Sequence, residues 1–464
     1  GVHLRMHQLF TAFLRAEPLE GEAGRLLRRI REAQRARLVS LARELANNPA
    51  SSETASTLLA FELSPAGWDD FPEVPVEDDE TVGEALLEIG RYTGARPWYE
   101  RAAARRERAL AQQPDHQALG GCLHQVGYCI SGVGDYTGAR PWFERAVHAK
   151  RRGDAGGHVD YDSLGSSLHE VGFCLASDGD PGAAVPWFRR AAQVTARGTP
   201  DGRINYENLG SCLSEAGLCA LDLNRPDEAR RWFIRAVRVK LRGNLKGRVD
   251  RESVGRSLHH VGTCHEEQGR DHEAMRWYQR AVAEKKQGDA HGRVDHDSVG
   301  ATLHSIGYSL SHRGMVPQAL PWYQAAVHEK EQGDVYGRVS PEGLGLSLHQ
   351  VAYCHAALGR AEEALEWFER AAEAKARGNR FGRVDHNTLG RTLQELGFAF
   401  AAQGKHEEAL QWYGWALEEK LRGNGAGRVD HNSVADTLHE IGLCQADLGR
   451  AEEAMASFQR GAEA

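Results

Sequence analysis

Between Ser253 and Gln268 the apolar or small residues Val254, Leu258, Val261, Gly262 and Cys264 recur at three- and four-residue spacings. That is the period of an amphipathic helix. Gly269-Arg-Asp interrupts it, and a second helical stripe runs from about His272 to Lys286 through Ala274, Trp277, Tyr278, Ala281 and Val282. Gly288-Asp ends this stripe, and Gly292-Arg-Val-Asp295 leads into the next, with Asp295 and Ser298 as candidate N-caps. The whole arrangement then repeats. Trp142, Trp187, Trp232, Trp277, Trp322, Trp367 and Trp412 stand 45 residues apart. Leu123, Leu168, Leu213, Leu258, Leu303, Leu348, Leu393 and Leu438 keep the same step, so eight units follow without insertion or deletion. An incomplete ninth precedes them, because Gly-Ala-Arg-Pro-Trp98 echoes Gly-Ala-Arg-Pro-Trp142, and its first half, Val82 to Ile89, is shortened. The pattern predicts an all-α chain of paired helices. A single pair cannot bury its apolar face, so neighbouring pairs must stack.

Composition changes this picture little. The 464 residues carry 57 Lys+Arg and 65 Asp+Glu, a formal net charge of −8 that makes nucleic acid an unfavoured main partner. Length alone predicts two to four domains. Glycine is in excess at 51 residues, but about five per unit account for most of it, so no flexible linkers are needed. No apolar run approaches the ~18 residues of a membrane span, and Gly1-Val-His-Leu-Arg is not a secretory signal. A cytoplasmic location is expected. The chain begins on Gly1, as a fragment of a longer polypeptide would.

The unit resembles the tetratricopeptide repeat, with Leu258, Val261-Gly262, His265, Ala274, Tyr278 and Ala281 at the family's spacings. Leu stands where the family has Trp, the closing Pro is absent, and 45 residues replace the usual 34 or so, as in the long repeats of kinesin light chains and many bacterial sensors. The resemblance covers residues 83–464 and implies a right-handed superhelical solenoid whose first helices line a concave groove that holds a protein or peptide.

Residues 1–67 differ. Leu4-Arg-Met6-His7-Gln8-Leu9-Phe10 resembles the end of the winged-helix domain of STAND-class ATPases, with Gln8 where that family has Asp. A generic amphipathic helix is the alternative. An Arg-rich helix follows, about Glu22 to Asn47, and its apolar stripe marks it as an ordinary packed helix. Trp68 to Thr81 carries seven acidic residues and no base, so residues 68–82 read as an acidic linker that the basic helix could meet. No Gly-x-x-x-x-Gly-Lys-Ser/Thr loop occurs, so any ATPase or effector activity would lie outside this chain, in an upstream module.

Candidate chemistry is sparse. Cys129, Cys174, Cys219, Cys264, Cys354 and Cys444 share one repeat position with Ser309 and Ala399. A position that takes Cys, Ser or Ala needs a small side chain, so the thiols read as buried and reduced. His124, His169, His259, His304, His349 and His439 form a ladder that the resemblance places on the groove, as framework or as ligand contact. Single histidines one repeat apart do not converge on a metal ion. No catalytic constellation, metal site or cofactor site is legible. Groups repeated in every unit serve stacking, which all units share, and this includes the lysines near the second-helix ends. A ligand needs different groups at different heights. The candidate ligand set is therefore Tyr128, His169, Phe173, Arg256, His259, His260, Thr263, Glu266, Glu267, His304, Tyr308, His349, Tyr353 and Phe398. Three roles follow: the ligand sensor of a STAND-type signalling ATPase, a free-standing scaffold or adaptor, or an accessory domain of a larger enzyme.

Overall fold

The computed structural model describes residues 36–37, 39–44, 75–379, 383–424 and 427–463. Among these, eighteen helices of the repeat region and no strand are found, as the periodicity predicts. The contacts divide the chain into two compact units, residues 1–225 with 244–246, and residues 226–243 with 247–464. In the first lie α1 (Val76–Glu88), α2 (Tyr92–Ala109), α3 (His116–Ser131), α4 (Tyr136–Lys150), α5 (Tyr161–Ser177), α6 (Pro181–Thr195) and α7 (Tyr206–Asp222). The second holds α8 (Pro226–Lys240), α9 (Arg251–Glu266), α10 (Asp271–Lys285), α11 (His296–His312), α12 (Val316–Gln332), α13 (Pro341–Ala357), α14 (Ala361–Ala376), α15 (His386–Ala402), α16 (His406–Arg422), α17 (His431–Asp447) and α18 (Ala451–Glu463). Within each unit consecutive helices pack in sequence, and first helices of successive repeats also touch. The Met6-His7 motif and most of residues 1–67 lie outside the described residues.

The connecting loop is built by its own side chains. Asp289 Oδ1 accepts the backbone N–H of His291 (2.7 Å) and of Arg293 (3.0 Å), and its carboxylate also takes the Arg293 guanidinium at 2.8 Å. Gly288 has φ +83°, and a Cβ there would fall 2.6 Å from the Gly292 carbonyl carbon, so only glycine closes the loop. The last loop residue then caps the next helix: Asp295 Oδ1 accepts the Ser298 N–H at 3.0 Å. Asp295 is thus the N-cap, and Ser298 is the helical residue it caps.

The helices of a pair meet at a glycine. A Cβ on Gly262, Gly307 or Gly397 would lie 2.5–2.8 Å from the ring of Tyr278, Tyr323 or Tyr413. Those rings, with Phe143, Phe188, Phe233 and Phe368 at the same position, are at most 1 % exposed and fill the core. The repeated tryptophans come one residue earlier and are only half-buried. Arginines three residues on lie over some of them, Arg145 at 4.8 Å from the Trp142 ring and Arg370 at 4.3 Å from that of Trp367.

This distinction makes two opposite mutations. Among the described residues Tyr413 Oη is buried without a hydrogen-bond partner, whereas Tyr278 Oη donates to Glu266 Oε2 at 2.8 Å. Tyr413→Phe is expected to leave stability unchanged or raise it by up to about 1 kcal/mol. Tyr278→Phe is expected to lower it by about 1–2 kcal/mol, because Glu266 loses one of its two donors. Denaturant melts of the two variants check both signs.

The described end of the acidic segment, from Val76 on, is helical. α1 begins at Val76, inside it, and Asp79 is fully buried. Arg101 and Arg105 reach the Asp79 carboxylate at 3.4 and 3.0 Å, and Arg106 reaches Glu80 at 2.7 Å. Arg43, from the described part of the basic helix, reaches Asp78 at 3.3 Å. These carboxylates are the partners of arginines on α2 and on the basic helix, and burying Asp79 without them would be costly.

Candidate functional site

The histidine ladder, the lysine ladder and a row of hydroxyls form one network. Each lysine ends a second helix and reaches into the next repeat. Lys150 Nζ donates to Ser163 O (3.0 Å) and Ser167 Oγ (2.8 Å), and Lys375 Nζ donates to Thr388 O (3.2 Å) and Thr392 Oγ1 (2.7 Å). His124 Nδ1 lies 3.1 Å from the same Ser167 Oγ, His304 Nδ1 3.1 Å from Ser347 Oγ, and His349 Nδ1 3.2 Å from Thr392 Oγ1. The stems of Lys150, Lys285, Lys330, Lys375 and Lys420 each run over a glycine of their own repeat, where a Cβ would come within 2.4–2.7 Å of Cγ at Gly120, Gly255, Gly300, Gly345 and Gly390.

Burial sets the charge state of this network. Lys150, Lys285, Lys330, Lys375 and Lys420 are pushed down to about 8 by loss of hydration, partly offset by nearby carboxylates. His124, His259, His304 and His349 are pushed down to about 3, first by burial and then by the neighbouring ammonium. These four histidines are therefore neutral at any physiological pH. Their rings also rest on the core aromatics, His304 on Tyr323 at 5.1 Å and His349 on Phe368 at 5.4 Å. The sequence showed the histidines and the lysines but not the hydroxyls, although Ser167, Ser257, Thr302, Ser347, Thr392 and Thr437 stand one residue before the leucine ladder.

One turn past the histidines the side chains emerge. In the first unit Tyr128 is 42 % and Phe173 36 % exposed; in the second, Tyr308 is 49 %, Tyr353 47 % and Phe398 36 % exposed. These aromatics occupy one position of successive first helices. Arg256 and Glu267 are exposed on α9 and beside its end. The other candidates are engaged within the array. His260 stacks on Phe233 at 5.0 Å, His169 lies 3.4 Å from Glu170, and Thr263 Oγ1 donates to His259 O at 3.4 Å. Glu266 joins two repeats, accepting from Tyr278 in its own and from Ser309 Oγ in the next.

All eight cysteines are free and buried. Desolvation pushes the thiols of Cys129, Cys174 and Cys264 up to about 12, so they stay protonated and unreactive. Thiol-reagent labelling of Cys174, Cys264 and Cys354 in the folded chain is expected to run on the order of a hundredfold slower than in denaturant. Labelling at the same rate in both would contradict their burial. Among the described residues no helix is long and apolar enough to cross a membrane.

Stacked helix pairs with a buried polar seam and an exposed aromatic file define a helical repeat protein. Four models of the tetratricopeptide repeat match it, over residues 81–118, 257–290, 343–418 and 435–464. The chain is a tetratricopeptide-repeat array. No match is found among curated proteins. Among solved structures, the apo form of RapI has TM-score 0.51 at 10 % identity, covering 84 % of this chain and 96 % of its own. The apo quorum sensor NprR from B. thuringiensis has TM-score 0.50 at 11 % identity, covering 84 % and 97 %. A putative kinesin light chain from Podosopora anserina, with nearly identical TPR-like repeats, is 21 % identical over 45 % of this chain and 93 % of its own, at TM-score 0.35.

Proposed function

We propose that the chain binds a protein or an extended peptide on its first-helix faces, and that it serves as the ligand sensor of a STAND-type signalling ATPase. The observation that carries the binding reading is the exposed aromatic file. The lysine and hydroxyl rows and His124, His304 and His349 are engaged inside the array, whereas Tyr308, Tyr353 and Phe398 are 36–49 % exposed and make an apolar strip with polar tips. Such side chains suit the anchors of a polypeptide interface. The sensor role draws on the Met6-His7 resemblance and on a fold shared with a quorum sensor. A bound ligand would favour one arrangement of the array and release an attached ATPase to oligomerise. A free-standing scaffold is the second reading, and the sequence encoded upstream of Gly1 separates them, since the sensor needs a phosphate loop there.

Selection of displayed random dodecapeptides on the full chain tests the binding. Replacing Tyr308, Tyr353 and Phe398 with Ser is expected to weaken the selected peptides by roughly 1–4 kcal/mol per anchoring residue, with little change in the melting curve. Unchanged affinity beside a large loss of stability would make the strip core. Since His124, His259, His304 and His349 stay neutral, they are expected to add no pH dependence to affinity between pH 5.5 and 7.5.

A further inference from the structure

The repeat changes chemistry at its N-terminal end. Aligning Gly83 with Gly127 puts Asp79 where the ladder has Leu123, Glu80 where it has His124, and Glu84 where it has Tyr128. A file that is aromatic at Tyr128 and Phe173 therefore starts with a carboxylate. At this point α1, α2 and α3 flank an open recess of about 410 Å³, lined by Glu84, Glu88, Tyr92, Tyr99 and Tyr128, with Leu87, His124 and Gln125 beside them.

The wall is closely packed, and among the described residues the charge of Glu84 and Glu88 is uncompensated. Tyr92 seats against Gly132, where a Cβ would fall 2.5 Å from its Cδ1, and it meets Tyr128 edge to face at 6.0 Å and 63°. The Tyr99 ring rests on Gly83 at 2.8 Å from a would-be Cβ. Tyr99 is 4 % exposed, and among the described residues it makes no hydrogen bond. Glu80, one turn before Glu84, is neutralised by Arg106 at 2.7 and 3.0 Å and accepts from Cys122 Sγ at 2.9 Å. Glu84 and Glu88, by contrast, have no ion-pair partner among the described residues and are exposed.

Aromatic rings present negative faces, and two carboxylates beside them deepen the negative potential. An anion is repelled from such a recess. A neutral apolar group gains nothing from the carboxylates and would strip their hydration. A planar cation satisfies both halves, lying on a ring while its N–H groups reach the carboxylates. We propose that this recess is a cation site that takes the guanidinium of an arginine side chain in the polypeptide ligand. The proposal rests on the peptide-binding reading above for the arginine's source, though not for the site itself.

Saturation-transfer difference NMR of the full chain tests it, with Nα-acetyl-arginine amide against its uncharged citrulline counterpart. The arginine probe is expected to bind at least about fivefold tighter than citrulline, and more weakly as salt is raised. Glu84→Gln with Glu88→Gln is expected to erase that preference, with an unchanged melting curve, because both side chains lie at the surface. Equal binding of the two probes, or full preference in the double variant, would overturn the site. The Tyr308/Tyr353/Phe398 variant should keep its arginine preference. Peptide selection that succeeds without any arginine preference would remove the cation site and leave the peptide face standing. Arginine preference without selected peptides would do the reverse.

Discussion

Tyr323→Ala is expected to lower stability by about 3–5 kcal/mol, while Tyr308→Ala, on the preceding helix, should change it by less than about 1 kcal/mol. Both are tyrosines of one repeat. Tyr323 is fully buried in a cluster with Ile306, Leu310, Val351 and Cys354, and its ring fills the space that Gly307 leaves open. Removing it opens a cavity that the packed helices cannot close. Tyr308 is 49 % exposed, so its loss removes mainly surface. Chemical denaturation of the two variants gives the comparison. Equal losses would mean that the aromatic file is structural and that its exposure has no bearing on binding.

Acid should destabilise the array. His259, His304 and His349 are held at about 3 and His260 at about 4, all below the 6.5 of an unfolded histidine. The unfolded chain thus binds more protons below pH 6.5, so stability is full above that value and is lost as pH falls toward the folded values. Between pH 7 and 5 each such histidine contributes a loss of roughly 1–2 kcal/mol. Carboxylates raised by burial, Glu252 and Asp297 among them, act with the opposite sign and blunt the slope. The clean measurement is a difference. Replacing His304 and His349 with Gln, the residue that Gln394 already supplies at this position, should flatten stability against pH by about 2–4 kcal/mol over that interval. An unaltered slope would show that the ladder is not held neutral.

Much of the fold was legible because the spacing leaves no freedom. A 45-residue ruler without insertions fixes the paired helices, and Asp295 at the loop end marks a helix start. The rotation of the second helix was less visible. Trp277 and Tyr278 both sit on its apolar stripe, and periodicity alone does not say which points at the partner helix; the close approach at Gly262 decides for Tyr278. The acidic run before Val82 misled because its partners, Arg101, Arg105 and Arg106, lie on another helix more than twenty residues on. Glu266 stood out because its position varies, and His259 because the resemblance places its ladder on the groove, yet one ties two repeats and the other rests on Tyr278 at 5.1 Å. A hydrogen bond across a repeat boundary has no signature until both repeats are folded together.

The lysine seam also restricts how such a chain can be rearranged. At four boundaries a lysine donates to Ser167, Ser257, Thr392 or Thr437, and at two more Lys285 donates to Ser298 and Lys330 to Gly343 O. At the two where the first partner is instead Arg106 or Thr195, the second is Cys122 or Cys212. Donor and acceptor change together, so each repeat is keyed to its neighbour. Duplicating or exchanging whole units preserves the match only if the cut falls inside a repeat and carries the boundary intact. A cut at the boundary could set a lysine against Cys212, burying an ammonium without its hydroxyl. Modules that look interchangeable by length are in this respect ordered, like links with two kinds of clasp.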